Sequence, residues 1–548
     1  MWASRTSKLD ALKNPWVASA LLLGIYVVLS LLMSPRGYLG TDTGAKVATL
    51  DLMAANDTAE PDLGYWAETW DPDGRLHPIY DTGRTETGWV HVTTLPMLEL
   101  ARPLYSLGGY RLALVLPMLG SVAAAHACRA VARRLSDDDA GWLAFWASGL
   151  ASPMAVYALD FWEHAPGVAC MVGATALLLA VLDQERPVLR SVAAGMLLGL
   201  SATMRTETFV YALVLVGGAS VALLLRRAVQ TAIVTGLSSV TGFAVVWAGN
   251  HLLERAVGGA PRGSRAAGAA RGGLSELGDR AQEAVITTLA LRPQRLSSVV
   301  VLGCAFAGLL MLAWVKGRAG DDRLGYLALV GAWLMAVLVI LKGLGFVPGL
   351  LAATPVAAVA MTARPSTHAH RYVVGCAVAA LPLVWAFQFL GGAGPQWGGR
   401  YTLTSALLLA TAGAVVASQG PRWLRVGTVA LAVLVTGSGV LWLRERSNAI
   451  DDYFDRLVAL EEDVVVARNG FFIREGGPAY AERRWLTAVT DEDLALVPDL
   501  VRRAGLGSFA VIDAAPLPND LSGARAAGTE ETRLLSAILY IHSYEIVD

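Results

Sequence analysis

Apolar and polar positions along this chain fall into long blocks rather than into a helical or strand period. Thirteen apolar blocks stand at roughly 16–33, 111–130, 141–158, 166–182, 190–204, 207–225, 229–249, 297–315, 324–341, 345–362, 372–390, 401–418 and 426–443. Each approaches the roughly 20 residues that a helix needs to cross a bilayer. The blocks at 190–204 and 207–225 are short enough to form one broken helix, which would make twelve spans. The first block is followed by no small-residue cleavage pattern and is expected to be a retained signal anchor.

Three polar regions are longer than a turn. The first, 34–110, holds two amphipathic stretches, about 43–54 and 88–106, around an irregular middle, YWAETWDPDGRLHPIYD. Its Trp and Tyr residues suit a membrane interface or stacking on sugar rings. Asp71-Pro-Asp73-Gly imitates a metal-binding D-x-D, but it is also a strong turn signal and is expected to be a turn. The second, 250–296, opens on GGAPRGSRAAGAARGG, a mobile linker by composition. It continues into a segment where Leu274, Leu277, Ala281, Val285 and Leu289 approach helical spacing, which predicts a surface-lying helix beside a lid. After 445 the composition shifts. DLVRRAGLGSFAVIDAAP pairs a helix pattern with a β run, and VVVA, FFI and ILYIHSYEIV are further strand candidates. The expected architecture is a polytopic α-helical membrane module over 1–444, with about thirteen transmembrane helices, and a small C-terminal α/β extracytoplasmic domain over 445–548.

Charge fixes the expected orientation. If the N-terminus is cytoplasmic, the short inner segments hold Arg5, Lys8, Lys13, Arg129, Arg133, Arg134, Arg186, Arg190, Arg226, Arg227, Lys316, Arg318, Arg323, Arg364, Arg371, Arg422 and Arg425, and the short outer loops hold Arg205, Lys342 and Arg400. Seventeen against three predicts an inner-membrane, multi-pass chain with its N-terminus inside and its C-terminus and both long loops outside. Composition agrees, with 55% hydrophobic residues, 16% charged residues and a mean hydropathy of +0.49. The net charge of −1 and the absence of a basic tail give no basis for nucleic-acid binding. All four cysteines (Cys128, Cys170, Cys304, Cys376) lie in apolar runs, which argues against a disulfide framework or a zinc site.

On this topology the unusual polar residues share the outer face. Asp42 begins the first loop, and Lys46 follows one helical turn later. Asp160, Glu163 and His164 occupy the turn between the third and fourth blocks. Arg205 and Glu207 occupy the next outer turn, Lys342 ends the ninth block, and Arg400 precedes the twelfth. Ionisable groups at membrane depth are costly and usually functional. Arg205, Lys342 and Arg400 run against the orientation rule, so orientation does not account for them. Three cations with His164 suit a phosphate or pyrophosphate, which Arg holds in bidentate fashion. Carboxylates nearby suit a general base for an incoming hydroxyl. Together they describe glycosyl transfer from a lipid phosphate, with Lys46 and Glu207 in support. Each also has a structural explanation: Asp42 as a helix N-cap, Asp160, Glu163 and His164 as a solvated turn, Arg205–Glu207 as a bracing ion pair, Lys342 as a snorkelling anchor, and Arg400 with Trp397 and Tyr401 as an aromatic-belt anchor.

These residues resemble the membrane-embedded GT-C class of glycosyltransferases. The resemblance rests on an acid just past the first span, amphipathic stretches in that loop, a second acid between the third and fourth spans, and GMLLGLSATMRTE as a GLLxG…R-x-E pattern. LGFVPGLLAATP and QWGGRYTLTSALLL resemble segments of bacterial members that use polyprenyl-phosphate sugars. The resemblance covers roughly residues 16–420. It implies that Asp42 is the catalytic base, that the donor is a polyprenyl-phosphate sugar, and that the acceptor is a glycan, glycolipid or protein of the cell envelope. One departure stands out: many members carry paired acids where this chain reads Asp42-Thr43, so a single Asp suffices or Asp160 or Glu163 supplies the second carboxylate. No metal ligand set is identified, and a divalent cation is left open.

Two other classes compete. A flippase or transporter of lipid-linked sugars would show paired halves with midplane sites, and no such pairing is visible. A lipid-pyrophosphate-dependent polymerase or ligase would draw its base from a large late loop, where this chain has only GGAGPQWGGR.

Overall fold

The computed structural model describes residues 12–37, 41–260, 278, 280, 281, 284, 298–320, 322–341, 349–362, 367–387, 397–474, 477–517, 520–534 and 537–547. Among them, eight helices are long and apolar enough to cross a membrane: Val115–Leu135, His164–Leu182, Pro187–Met204, Thr208–Leu225, Val229–Gly258, His368–Phe387, Arg400–Gln419 and Arg422–Val458. Pro15–Ser30, Gly308–Gly317 and Arg323–Met335 are shorter apolar helical stretches. The chain is a multi-pass helical membrane protein. Its first helix starts sharply because the Asn14 side chain accepts from the Trp16 and Val17 amides and Pro15 stands at the first helical position.

Two expected spans are not continuous helices. The block at 141–158 is the helix Asp138–Leu150, a break at Ser152-Pro153, and one turn, Met154–Tyr157. The described part of the block at 345–362 comprises Leu350–Ala353, Pro355–Val359 and a tight turn, Ala360–Thr362. Proline accounts for both breaks, since it disfavours helical backbone at the residue before it. Broken backbone at membrane depth is tolerated only when enclosed by protein, and Leu350 to Ala360 are all buried. The blocks at 190–204 and 207–225 are two separate helices, joined by Arg205, Thr206 and Glu207.

The span Arg400–Gln419 is the most enclosed of the eight, with 89% of its apolar stretch buried, against 22% for Val229–Gly258. The glycines of GMLLG serve packing. A Cβ at Gly195 or Gly199 would strike the main chain of Ser239 or Phe243 in the helix Val229–Gly258.

At one end of the bundle the first long loop folds into an ordered layer. Its helix Thr41–Ala55 matches the first amphipathic stretch. The second stretch divides into a strand and a helix. Strand β1 (Thr82–Thr85) pairs with β2 (Gly88–His91) in an antiparallel hairpin, and the helix Leu95–Ala113 follows with a kink at Gly108-Gly109. Asp71 forms the expected turn, its carboxylate accepting from the Arg75 and Leu76 amides and the Tyr65 hydroxyl. The surface helix expected within 250–296 lies mostly outside the described residues, and the helix Val229–Gly258 extends into the start of that region.

The last helix, Arg422–Val458, continues well past the expected span end at 443 and carries the chain into the C-terminal sheet. That sheet comprises β3 (Val464–Ala467), β4 (Arg484–Thr487), β5 (Ser508–Asp513), β6 (Asp520–Leu521), β7 (Ala524–Leu534) and β8 (Ala537–Ile546), in the order β4-β3-β5-β8-β7-β6. The first three pair in parallel and the rest antiparallel. FFI is not a strand. It lies in the short helix Gly470–Arg474, because three apolar residues are too few to set a period and packing decides.

Loop, helix extension and sheet share one core. Ala45, Ala48, Leu63 and Ile79 of the first loop pack with Ile450, Tyr453, Phe454 and Leu457 of the long helix and with Trp485 and Ile512 of the sheet. Each large apolar side chain fully buried there contributes about 1.5–3 kcal/mol. Polar contacts reinforce the join. The Thr487 amide donates to the Leu76 carbonyl (3.0 Å), its hydroxyl donates to the Pro78 carbonyl (2.8 Å), and the Trp66 indole donates to the Trp485 carbonyl (2.9 Å). Where the first helix exits, Ser34 and Arg36 bind Asp451, and Arg36 also binds Asp455.

Candidate functional site

Four segments distant in sequence converge where the ordered layer of the first loop meets the bundle: the helix Thr41–Ala55, the turn Asp160–His164, the turn Arg205–Glu207, and Arg400-Tyr401 ahead of the central helix. Asp42 lies inside the first turn of its helix, where a negative charge also suits the helix dipole. Its Oδ2 is 3.5 Å from Arg400 Nη1. The Asp42 side chain keeps 35% of its exposure and that of Arg400 keeps 12%.

The other two carboxylates are enclosed. Asp160 accepts from the Thr43 hydroxyl (2.8 Å) and the Tyr110 hydroxyl (2.9 Å), tying two first-loop helices to the bundle. Glu163 accepts from Lys46 on one oxygen and from Arg205 Nη1 (3.3 Å) on the other. Lys46 is itself fully buried, so each group compensates the other's desolvation. Burial alone would raise the Glu163 carboxyl, but the charges of Lys46 and Arg205 outweigh it and hold it below the ordinary carboxylate range. A carboxylate so held is a poor proton acceptor and a strong tether.

Arg205 also donates through Nε to Glu207 Oε1 (2.9 Å) and stands 3.5 Å from His164 Nδ1. With Nδ1 accepting from a guanidinium, the imidazole proton resides on Nε2. His164 belongs to a ring cluster with Tyr157 and Trp162, with centroids 5.1 Å (Tyr157–His164), 4.3 Å (Trp162–His164) and 5.8 Å (Tyr157–Trp162) apart. The Arg400 guanidinium lies 5.4 Å from the Trp162 ring and 4.6 Å from the Tyr401 ring, and Arg205 lies 4.9 Å from Tyr401. Two cations thus flank one tyrosine.

The donors here exceed the acceptors. Tyr157 Oη, Trp162 Nε1, His164 Nε2 and Arg205 Nη2 are buried with no hydrogen-bond partner among the described residues, and so is Glu207 Oε2. Buried polar groups are normally paired, so four neighbouring donors without acceptors mark a place suited to an anionic, multi-oxygen group. Among the described residues no group of three or more His, Cys, Asp and Glu side chains could hold a metal ion.

Of the residues singled out from sequence, Asp42, Lys46, Asp160, Glu163, His164, Arg205, Glu207 and Arg400 all belong to this assembly. Lys342 lies outside the described residues. Sequence reasoning did not single out Tyr157, Trp162, Thr43 and Tyr110. Their signal was adjacency: Tyr157 and Trp162 bracket Asp160 in YALDFW, and Thr43 follows Asp42. Tyr401 entered only through the structural alternative of an aromatic-belt anchor around Arg400, and its ring lies 4.6 Å from the Arg400 guanidinium and 4.9 Å from that of Arg205. Trp397 is buried against Trp442.

No family model and no curated protein matches the sequence. Solved structures give distant likenesses. The oligosaccharyltransferase of Archaeoglobus fulgidus in complex with Zn and sulfate aligns at a TM-score of 0.48 and 13% identity, covering 89% of this chain and 67% of that one. The oligosaccharyltransferase AglB of the same organism, with an inhibitory peptide and a dolichol-phosphate, aligns at 0.46 and 12%, covering 91% and 70%. ArnT from Cupriavidus metallidurans bound to undecaprenyl phosphate aligns at 0.47 and 16%, covering 96% and 98%.

Proposed function

We propose that the protein is a membrane glycosyltransferase that moves a sugar from a polyprenyl-phosphate donor to an acceptor hydroxyl on the extracytoplasmic side. The observation that carries the proposal is the buried set of unpartnered donors, Tyr157, Trp162, His164 and Arg205, beside Arg400 at the edge of an apolar bundle. Such a set fits a phosphate whose lipid tail stays in the membrane.

In this scheme Arg205, His164 and Arg400 hold the donor phosphate, with Tyr157 and Trp162 donating to its oxygens. As the C–O bond to phosphate breaks, negative charge grows on the departing oxygens, and these fixed donors stabilise it without reorganising. Asp42, the one site carboxylate with substantial exposure, takes the proton from the acceptor hydroxyl as that oxygen bonds to the anomeric carbon. Glu163, with Lys46 and Glu207, fixes Arg205. Asp160 fixes the first-loop helices through Thr43 and Tyr110. Residues after 445 form, with the first loop, an outer layer over the site.

Binding of a polyprenyl-phosphate sugar to the purified chain in nanodiscs tests this. Arg205→Ala and Arg400→Ala should each weaken binding about ten- to a hundredfold, the range of a lost charged hydrogen bond. Unchanged affinity in both variants contradicts the proposal.

A further inference from the structure

The helix that carries Asp42 is held between two bodies. Thr43 and Lys46 reach the bundle, binding Asp160 and Glu163. On the other side, Ala45 and Ala48 enter the core shared with the C-terminal sheet. At Gly477, three residues beyond the described end of helix Gly470–Arg474, the C-terminal chain runs against the backbone of Gly44: a Cβ at 477 would collide with the Gly44 carbonyl. Main chain therefore meets main chain two residues after Asp42. The segment Gly477–Glu482 continues along the same helix, with Ala479 in the shared core, and Tyr480 donates to the Gly64 carbonyl at 3.4 Å.

We infer that Gly477 is a positioning residue: the C-terminal domain sets the distance of the Asp42 carboxylate from Arg400 by seating its backbone on Gly44. The inference rests on the assignment of Asp42 as the base. It gives a role in the reaction to a domain that carries none of the site's polar side chains. Backbone contact suits this task because it has no rotamers to relax. An added methyl must move one main chain or the other, and the end of the Thr41–Ala55 helix that moves is the end with the carboxylate.

The test uses the full chain in nanodiscs, comparing wild type with Gly477→Ala. Gly528→Ala serves as a control in the same domain, because a Cβ there meets nothing. In Gly477→Ala, amide exchange over residues 43–55 should accelerate at least about tenfold, and kcat for transfer should fall by a similar factor. Donor KM should stay within about twofold, and Gly528→Ala should match wild type. A purely structural role for Gly477 would lower active protein without this split. Unmoved exchange, or altered exchange with wild-type kcat, overturns the inference. If Gly477→Ala does not fold, wild-type exchange decides: residues 43–55 and 477–487 should open as one unit, and independent protection overturns it. A wild-type chain that binds donor but transfers nothing contradicts the functional assignment instead.

Discussion

Arg400 Nη1 stands 3.5 Å from Asp42 Oδ2, although the two residues are 358 positions apart in the chain. Under the proposed function this pair would link the group that holds the donor phosphate to the group that receives the acceptor's proton. In the proposed scheme a bound phosphate would compete with Asp42 for the same guanidinium, and donor binding would release the carboxylate to act as a base. Asp42→Asn should therefore bind a polyprenyl-phosphate sugar at least as tightly as wild type. A clear loss of affinity, measured by titration in nanodiscs, would contradict this competition.

The buried bridge between Lys46 and Glu163 gives a stability prediction. Glu163→Gln leaves the Lys46 ammonium enclosed with only a neutral partner, and breaking a buried pair costs about 3–5 kcal/mol. Adding Lys46→Met removes the stranded charge and should recover part of that loss. Thermal unfolding of the purified chain measures both. An equal loss in single and double variants would show that the two groups are not coupled.

The outer layer should weaken in acid through His77. The ring is buried against Trp89, at 5.0 Å between centroids, and burial pushes it down to about 4 from the ordinary 6.5. The folded layer thus prefers the neutral ring. Its contribution is complete above pH 6.5 and is lost as pH falls through about 4, a change of about 3 kcal/mol. Hydrogen exchange over residues 62–91, corrected for its intrinsic pH dependence, should show this loss. His77→Phe, which keeps the stacking, should flatten it, and an undiminished pH dependence in that variant would assign the effect elsewhere.

Orientation is checked by labelling. Asp57 in the first loop and Ser522 in the C-terminal domain are both exposed, and the Lys/Arg distribution predicts that both are outside. Cysteines at these positions should react with an impermeant reagent in intact cells. Labelling only after lysis would reverse the topology.

Much of this architecture is legible in sequence. Apolar blocks mark the membrane helices because about 20 apolar residues have few other stable uses. The site acids and cations stand out because charge near lipid is costly. Some features are not legible, for physical reasons. Ser152-Pro153 and Pro355 break blocks that hydropathy alone joins. The hairpin at 82–91, whose strands are only four residues each, and the largely exposed strand β7 carry too little apolar alternation to register. The tether role of Glu163 requires knowing that Lys46 and Arg205 reach it from 117 and 42 residues away. The unpartnered donors of Tyr157, Trp162 and His164 appear only once the turn is folded.

The central claim is that Asp42 is the base of a lipid-phosphate-dependent sugar transfer. Single-turnover transfer from a polyprenyl-phosphate sugar by purified Asp42→Asn tests it most directly, with donor binding and unfolding temperature measured on the same sample. Asn keeps the shape and the helix-start preference of Asp but cannot accept the proton. The variant should stay folded and bind donor, while transfer falls at least about a hundredfold, the lower end of general-base contributions. Transfer at a near wild-type rate by a folded, donor-bound Asp42→Asn would contradict the claim.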